Sequence, residues 1–183
     1  MKRHHAPRRR PHALLLLALF ASLLPARIQV ASTAQREHLT PEEIEQVRVN
    51  QTLDLRTGVF VKAVERRLAA IADPTAAEKL SAKELEQWGA VKGTRAQLLS
   101  DIDRILEEAV TNIEDAAIHS AKSSLVPKAV RRLAEAAKVF LPQLTALNTS
   151  ASDDAERGAI ERALEKLQEI IDAAGKQPAE VKK

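Results

Sequence analysis

Apolar residues recur at three- and four-residue steps through most of the chain beyond residue 40, and nowhere do they alternate with polar ones for six residues. The first spacing is one face of an α-helix, and the second would be a half-buried strand. The pattern therefore predicts an all-α fold. Its strongest stretch runs from Arg95 to about Lys122, where Leu98, Ile102, Ile105, Ala109, Ile113 and Ala116 repeat. Leu99, Leu106, Val110 and Ala117 widen that stripe. A stripe so broad suits a helix facing a shared core better than a two-stranded coiled-coil seam, although its width also permits a homodimer.

Local signals place the remaining helices. Thr40-Pro41-Glu42-Glu43 supplies a capping hydroxyl, a proline at the first helical position and a glutamate at the third, a capping box. Leu39 before the cap is placed to staple onto Ile44. The pattern falters at Val49–Thr52, which reads as a break, and resumes from Leu53 to Ala72 with Phe60, Val64, Leu68 and Ile71 on one side. Asp73-Pro74 ends that helix, because a residue before proline is pushed out of the α region. Ser81-Ala82-Lys83-Glu84 opens a short helix carrying Leu85 and Trp88, Gly89 and Gly93 bracket a turn, and Thr94 with Gln97 caps the long helix. From about Lys128 to Leu147, Val130, Leu133, Ala137, Phe140, Leu144 and Leu147 alternate by three and four, with Pro142 expected to kink the helix near Lys138. Ser152 or Asp153 caps a last helix that ends at Gly175.

These elements predict an antiparallel up-down helical bundle of four main helices plus one or two short ones. Six acids but one base fall within residues 101–115, and the following helix opens with Lys128, Arg131 and Arg132. Antiparallel neighbours joined by a short loop are expected to bring those sets together.

The first 32 residues differ in kind. A basic segment, the run ALLLLALFASLL over residues 13–24 and the small residues of Val30–Ala34 have the layout of a secretory signal peptide. The run is shorter than the roughly 20 residues of a bilayer span. The expected organisation is a signal peptide over 1–32 (cleavage after Ser32 or Ala34), a flexible lead-in over 33–39, a helical domain over 40–175 and a disordered tail over 176–183. The protein is expected to be exported, periplasmic or extracellular, in a bacterial envelope, and to meet a membrane only through that leader.

Composition narrows the chemistry. Of 28 Lys and Arg against 25 acids, six bases and no acid lie in residues 1–32, so the rest carries a formal −3 and offers no case for nucleic-acid binding. With no cysteine, disulfides, thiolate metal sites and thiol catalysis are excluded. No nucleophile elbow or phosphate loop is present, and the acid pairs, Glu42-Glu43 among them, read as solvated charge at helix starts and on polar faces. An enzyme is therefore not the favoured reading, and no cofactor is expected.

Asp115 and His119, four apart on one helical face, are the candidate metal ligands. Trp88, with Arg66, Arg67, Arg131 and Arg132, is the candidate contact set for a protein partner, since Trp and Arg are enriched where interfaces concentrate their energy. With Lys62 and Lys128, the two arginine pairs would form one anionic-ligand face if their helices are neighbours.

Leu39-Thr40-Pro41-Glu42-Glu43 resembles the Leu-Thr-Pro-Glu opening of the periplasmic Spy/CpxP-like chaperone and metal-resistance family, although its Leu-Thr-x-x-Gln signature would need Gln where Glu43 stands. That resemblance implies an exported helical protein that binds unfolded proteins or senses envelope stress. The main expectation is an exported helical protein acting through contact with an envelope protein. The alternative is a periplasmic small-ligand or metal-binding bundle of the Spy/CpxP kind.

Overall fold

Helices occupy the segments that the apolar spacing marks out. The structure is a computed structural model that describes residues 36–120 and 123–176. The expected leader and the tail beyond Lys176 lie outside the described residues. Six α-helices follow in order: α1 (Pro41–Val49), α2 (Leu53–Ala72), α3 (Ala82–Trp88), α4 (Arg95–His119), α5 (Leu125–Thr149) and α6 (Asp154–Gly175). A 3-10 turn, Ala76–Lys79, links α2 to α3, and no strand occurs among the described residues.

Short-range chemistry fixes the helix starts. Thr40, Ser81 and Thr94 each close a capping box with the residue three positions on, and Asp153 accepts from the Glu156 amide. Two boundaries differ from expectation. α4 stops at His119, short of Lys122, and α5 begins at Leu125, two residues before Pro127. Proline is tolerated in the first turn because that turn's N–H groups have no partner within the helix. α5 also continues through Pro142 to Thr149.

The four long helices share one apolar core. Phe60 and Val64 of α2, Leu99, Ile102 and Ile105 of α4, Phe140 and Leu144 of α5, and Ile160 and Leu167 of α6 are all fully buried. α2 packs on α4 and α5, and α6 packs on the same two; α4 and α5 meet across the shorter diagonal. Chain direction follows from pairing register. Asp103 meets Arg162 and, one turn on, Glu107 meets Lys166, so α4 and α6 run parallel. Asp54 at the start of α2 meets Lys128 at the start of α5, so those two run parallel as well. Arg56 reaches Asn112 near the end of α4, which makes α2 and α4 antiparallel.

This corrects the expected charge pairing. The acids Asp103 and Glu107 pair with α6, and Lys128 and Arg132 pair with α2, because α4 and α5 stand diagonally rather than side by side. Direct successors in sequence are therefore not always neighbours in space. The lead-in also differs from expectation: Leu39 is buried in the core and His38 is bonded to two helices, so both belong to the helical domain. The expected staple is not how Leu39 is used, since Ile44 is 44% exposed.

Just past α2, Asp73 binds the Lys79 ammonium, the Thr75 hydroxyl (2.7 Å) and the Thr75 amide (2.9 Å). The Lys79 contact, then those to Thr75, bring its carboxyl from an ordinary 3.8 to about 2. A depressed folded value favours the folded turn above 3.8, and that contribution disappears as pH falls through about 2. An NMR titration of the Asp73 carboxyl is expected to give a midpoint near 2, moved back toward 3.8 in Lys79→Ala; an unmoved midpoint in that variant would remove Lys79 as the cause.

Candidate ion cluster at the α1–α3 cap

Glu43, the third residue of α1, has no exposed surface. Its position follows from the cap: Thr40 Oγ1 accepts from the Glu43 amide (3.1 Å), and Glu43 Oε2 accepts from the Thr40 amide (2.9 Å). That reciprocal pair aims the other carboxylate oxygen at α2. There Oε1 takes Nη1 of Arg67 at 2.5 Å and Nη1 of Arg66. Both arginines are nearly buried, with side-chain exposures of 2% and 10%.

The terminal guanidinium nitrogens also donate to backbone carbonyls, while the buried Nε of Arg67 has no partner among the described residues. Arg67 bonds Ala63 O (3.1 Å) and His38 O (2.6 Å), while Arg66 bonds Trp88 O (2.8 Å) and Gly89 O. Thr40 Oγ1 also donates to Trp88 O at 2.8 Å. One carboxylate thus ties together the start of α1, the last third of α2, the end of α3 and the lead-in. Burial lowers the Arg66 pKa, opposed by the Glu43 charge. The Arg66 guanidinium carbon lies 6.0 Å from the centroid of the half-buried Trp88 ring, at the limit of a cation–π contact.

Gly89 is required here. Its φ of 68° with ψ of −178° is a combination essentially confined to glycine, and a Cβ would come within 2.1 Å of Glu42 Oε2. His38 extends the network outward: its Nε2 donates to Glu108 Oε2 on α4 (2.7 Å), while its buried Nδ1 has no partner among the described residues.

The candidate residues read from sequence fall into three places. Arg66 and Arg67 are inside this cluster, so Arg67 presents no surface to a partner. Arg132 is exposed, donates to Asp54 O (2.9 Å) and lies over Gly58, while Arg131 is half-buried and engaged. Eight residues of α2, about 12 Å of rise, separate Gly58 from Arg66, so the two arginine pairs do not form one face although their helices are neighbours. Asp115 and His119 are exposed, and His119 Nδ1 donates to the Asp115 backbone carbonyl at 2.7 Å, so that nitrogen is committed to the helix and not to a shared site. With Arg56 and Asn112 they border a hollow of about 320 Å³. No group of three or more His, Cys, Asp or Glu is placed to hold a metal among the described residues.

Glu43 itself was read as solvated charge, and its burial corrects that reading. Asp101, the first acid of another pair, is buried too. The class that the fold and cluster define is an all-helical protein with a buried ion cluster locking one end. No family model, no curated protein and no solved structure matches the chain.

Proposed function

We propose that this is an exported bacterial-envelope protein, an up-down bundle of four main helices that works by protein–protein contact and not by catalysis. The observation that carries the reading is the surface of the α1–α3 cap. Ile44 lies one turn along α1 from Thr40, and Leu85 lies one turn back along α3 from Trp88. Thr40 and Trp88 are bonded and the two helices are packed together. Ile44 and Leu85 are nevertheless 44% and 38% exposed, on the two helices that this bond joins. Apolar side chains on a scaffold held by buried ion pairs form a preordered contact surface, which reduces the ordering cost of association.

The leader-like residues 1–32 support export, and no helix among the described residues is long and apolar enough to cross a membrane. A second reading, a periplasmic small-ligand or metal-binding bundle, draws on the hollow beside Asp115 and His119; the commitment of His119 Nδ1 to the Asp115 backbone carbonyl weighs against a ligand there.

The test expresses the full chain with a C-terminal tag in a bacterial host. The mature N-terminus is expected at residue 33 or 35 in the periplasm or medium. A saturable envelope partner is expected to be captured by the wild type and lost in Ile44→Asp/Leu85→Asp, with the melting temperature of that variant unchanged. An intact cytosolic chain, or capture that survives both substitutions, would overturn the reading.

A further inference from the structure

We propose that the hollow between the second half of α4, the first half of α5 and the end of α6 binds a small amphiphilic cation, a short apolar body bearing one ammonium or guanidinium group. The hollow measures about 310 Å³, at the small end of the range for ligand sites. Its walls are Val110, Ile113, Val126, Val130, Leu133 and Ile170.

Three observations fix the chemistry of the occupant. First, the space is a consequence of packing. α4 and α5 meet across the diagonal, and the residues facing one another here are mostly short: Val110, Ala117, Val126, Val130 and Ala173. Elsewhere the same core is closed by Leu99, Ile102, Ile105 and Leu144, all without exposure. Close-packed interiors leave few voids larger than a water molecule, so the short side chains along this seam leave room that the longer ones close elsewhere in the core.

Second, the polar groups bordering it have one sign. Among the described residues, Glu114 and Glu169 line it and no base does. Third, those carboxylates are unused. Asp103, Glu107 and Glu108 on α4 each have a basic partner, whereas neither Glu114 nor Glu169 pairs with one among the described residues. An anion would meet two carboxylates. A divalent metal would lack a third ligand, and an uncharged solute would make no use of the two exposed carboxylates at the rim. An apolar chain ending in a cation satisfies the walls and the border together. This site stands apart from the α1–α3 cap and does not depend on a partner docking there.

The test is a methyl NMR titration of the full chain with hexylammonium, 1-hexanol and hexanoate, which share an apolar chain and differ in charge. Hexylammonium is expected to shift the methyls of Val110, Ile113, Val126 and Val130 saturably, with hexanoate the weakest of the three. In Glu114→Gln/Glu169→Gln the hexylammonium affinity is expected to fall about five- to tenfold, toward that of hexanol, the scale of two partly exposed ion pairs. Ala117→Leu fills the space and is expected to abolish the shifts while leaving the melting temperature unchanged or higher. Should that variant fail to fold, Ala173→Leu serves the same purpose. Equal binding of hexanoate and hexylammonium, unsaturable shifts spread over the surface, or full binding by a folded cavity-filled variant would each overturn the proposal.

Discussion

Glu43→Gln is expected to lower the stability of the folded protein by about 3–5 kcal/mol, the range for removing one partner of a buried ion pair. The substitution keeps the shape of the side chain and an acceptor for the Thr40 amide. What it removes is the one negative charge bonded to Arg66 and Arg67 among the described residues; their side chains are 10% and 2% exposed. Two guanidiniums then remain in a low-dielectric setting with carbonyl oxygens alone as partners, and desolvation of the charge is no longer offset. The exposed Arg48–Glu45 pair on the same helix provides the control, where Glu45→Gln should leave the unfolding midpoint close to that of the wild type, because solvent screens an exposed pair. Urea unfolding monitored by circular dichroism checks both, with the midpoint of Glu43→Gln falling by at least about 1 M at an unchanged slope. A loss below about 1 kcal/mol would mean that water reaches the arginines and that the cluster is not a lock. Replacing all three charges together, as Glu43→Met/Arg66→Leu/Arg67→Met, should recover much of the loss, since apolar side chains of similar volume carry no desolvation cost.

The fold was legible where its causes are local. Thr40-Pro41-Glu43, Ser81-Glu84 and Thr94-Gln97 close their caps within four residues, so the helix starts they specify are the observed ones. α2 ends at Ala72 because Asp73-Pro74 follows it. Which helices become neighbours was not legible. The short link after α4 favours adjacency of α4 and α5 only weakly, and ion pairs of about 0–1 kcal/mol cannot decide the matter. Burial of Phe60, Ile105, Phe140 and Ile160 in one core decides it. The cluster left a signal that periodicity alone could have raised. Arg67 falls in register with Phe60, Val64 and Ile71 on the apolar side of α2, where an unpaired base would not be tolerated. A charge at such a position calls for a buried acid. Choosing Glu43 over the other acids required the docking of α1, which no local pattern encodes.

The second large effect lies at the middle of α5. Phe140→Ala is expected to cost about 3–5 kcal/mol, the usual range for truncating a buried phenylalanine, because the ring is 2% exposed at the centre of the shared core. Two residues on, Pro142 sits inside the helix and is exposed. It cannot donate to the Lys138 carbonyl, a loss that with ring crowding costs an interior helix about 3 kcal/mol. The next turn shows side chains drawn to backbone carbonyls: Gln143 donates to Val139 O (3.0 Å) and Thr145 to Leu141 O (2.8 Å). α5 persists through this defect because Phe140 and Leu144 are both buried and flank the proline, so packing outweighs the missing hydrogen bond. Pro142→Ala should therefore stabilise, by less than the full 3 kcal/mol since the surrounding side chains have adapted to the proline. The double variant should remain below wild type, because one restored backbone bond does not match a lost aromatic ring. Chemical denaturation of the two single variants and the double decides it. Destabilisation by Pro142→Ala would show that the core depends on the proline, and a loss under about 1.5 kcal/mol in Phe140→Ala would show that the site can collapse around the missing ring.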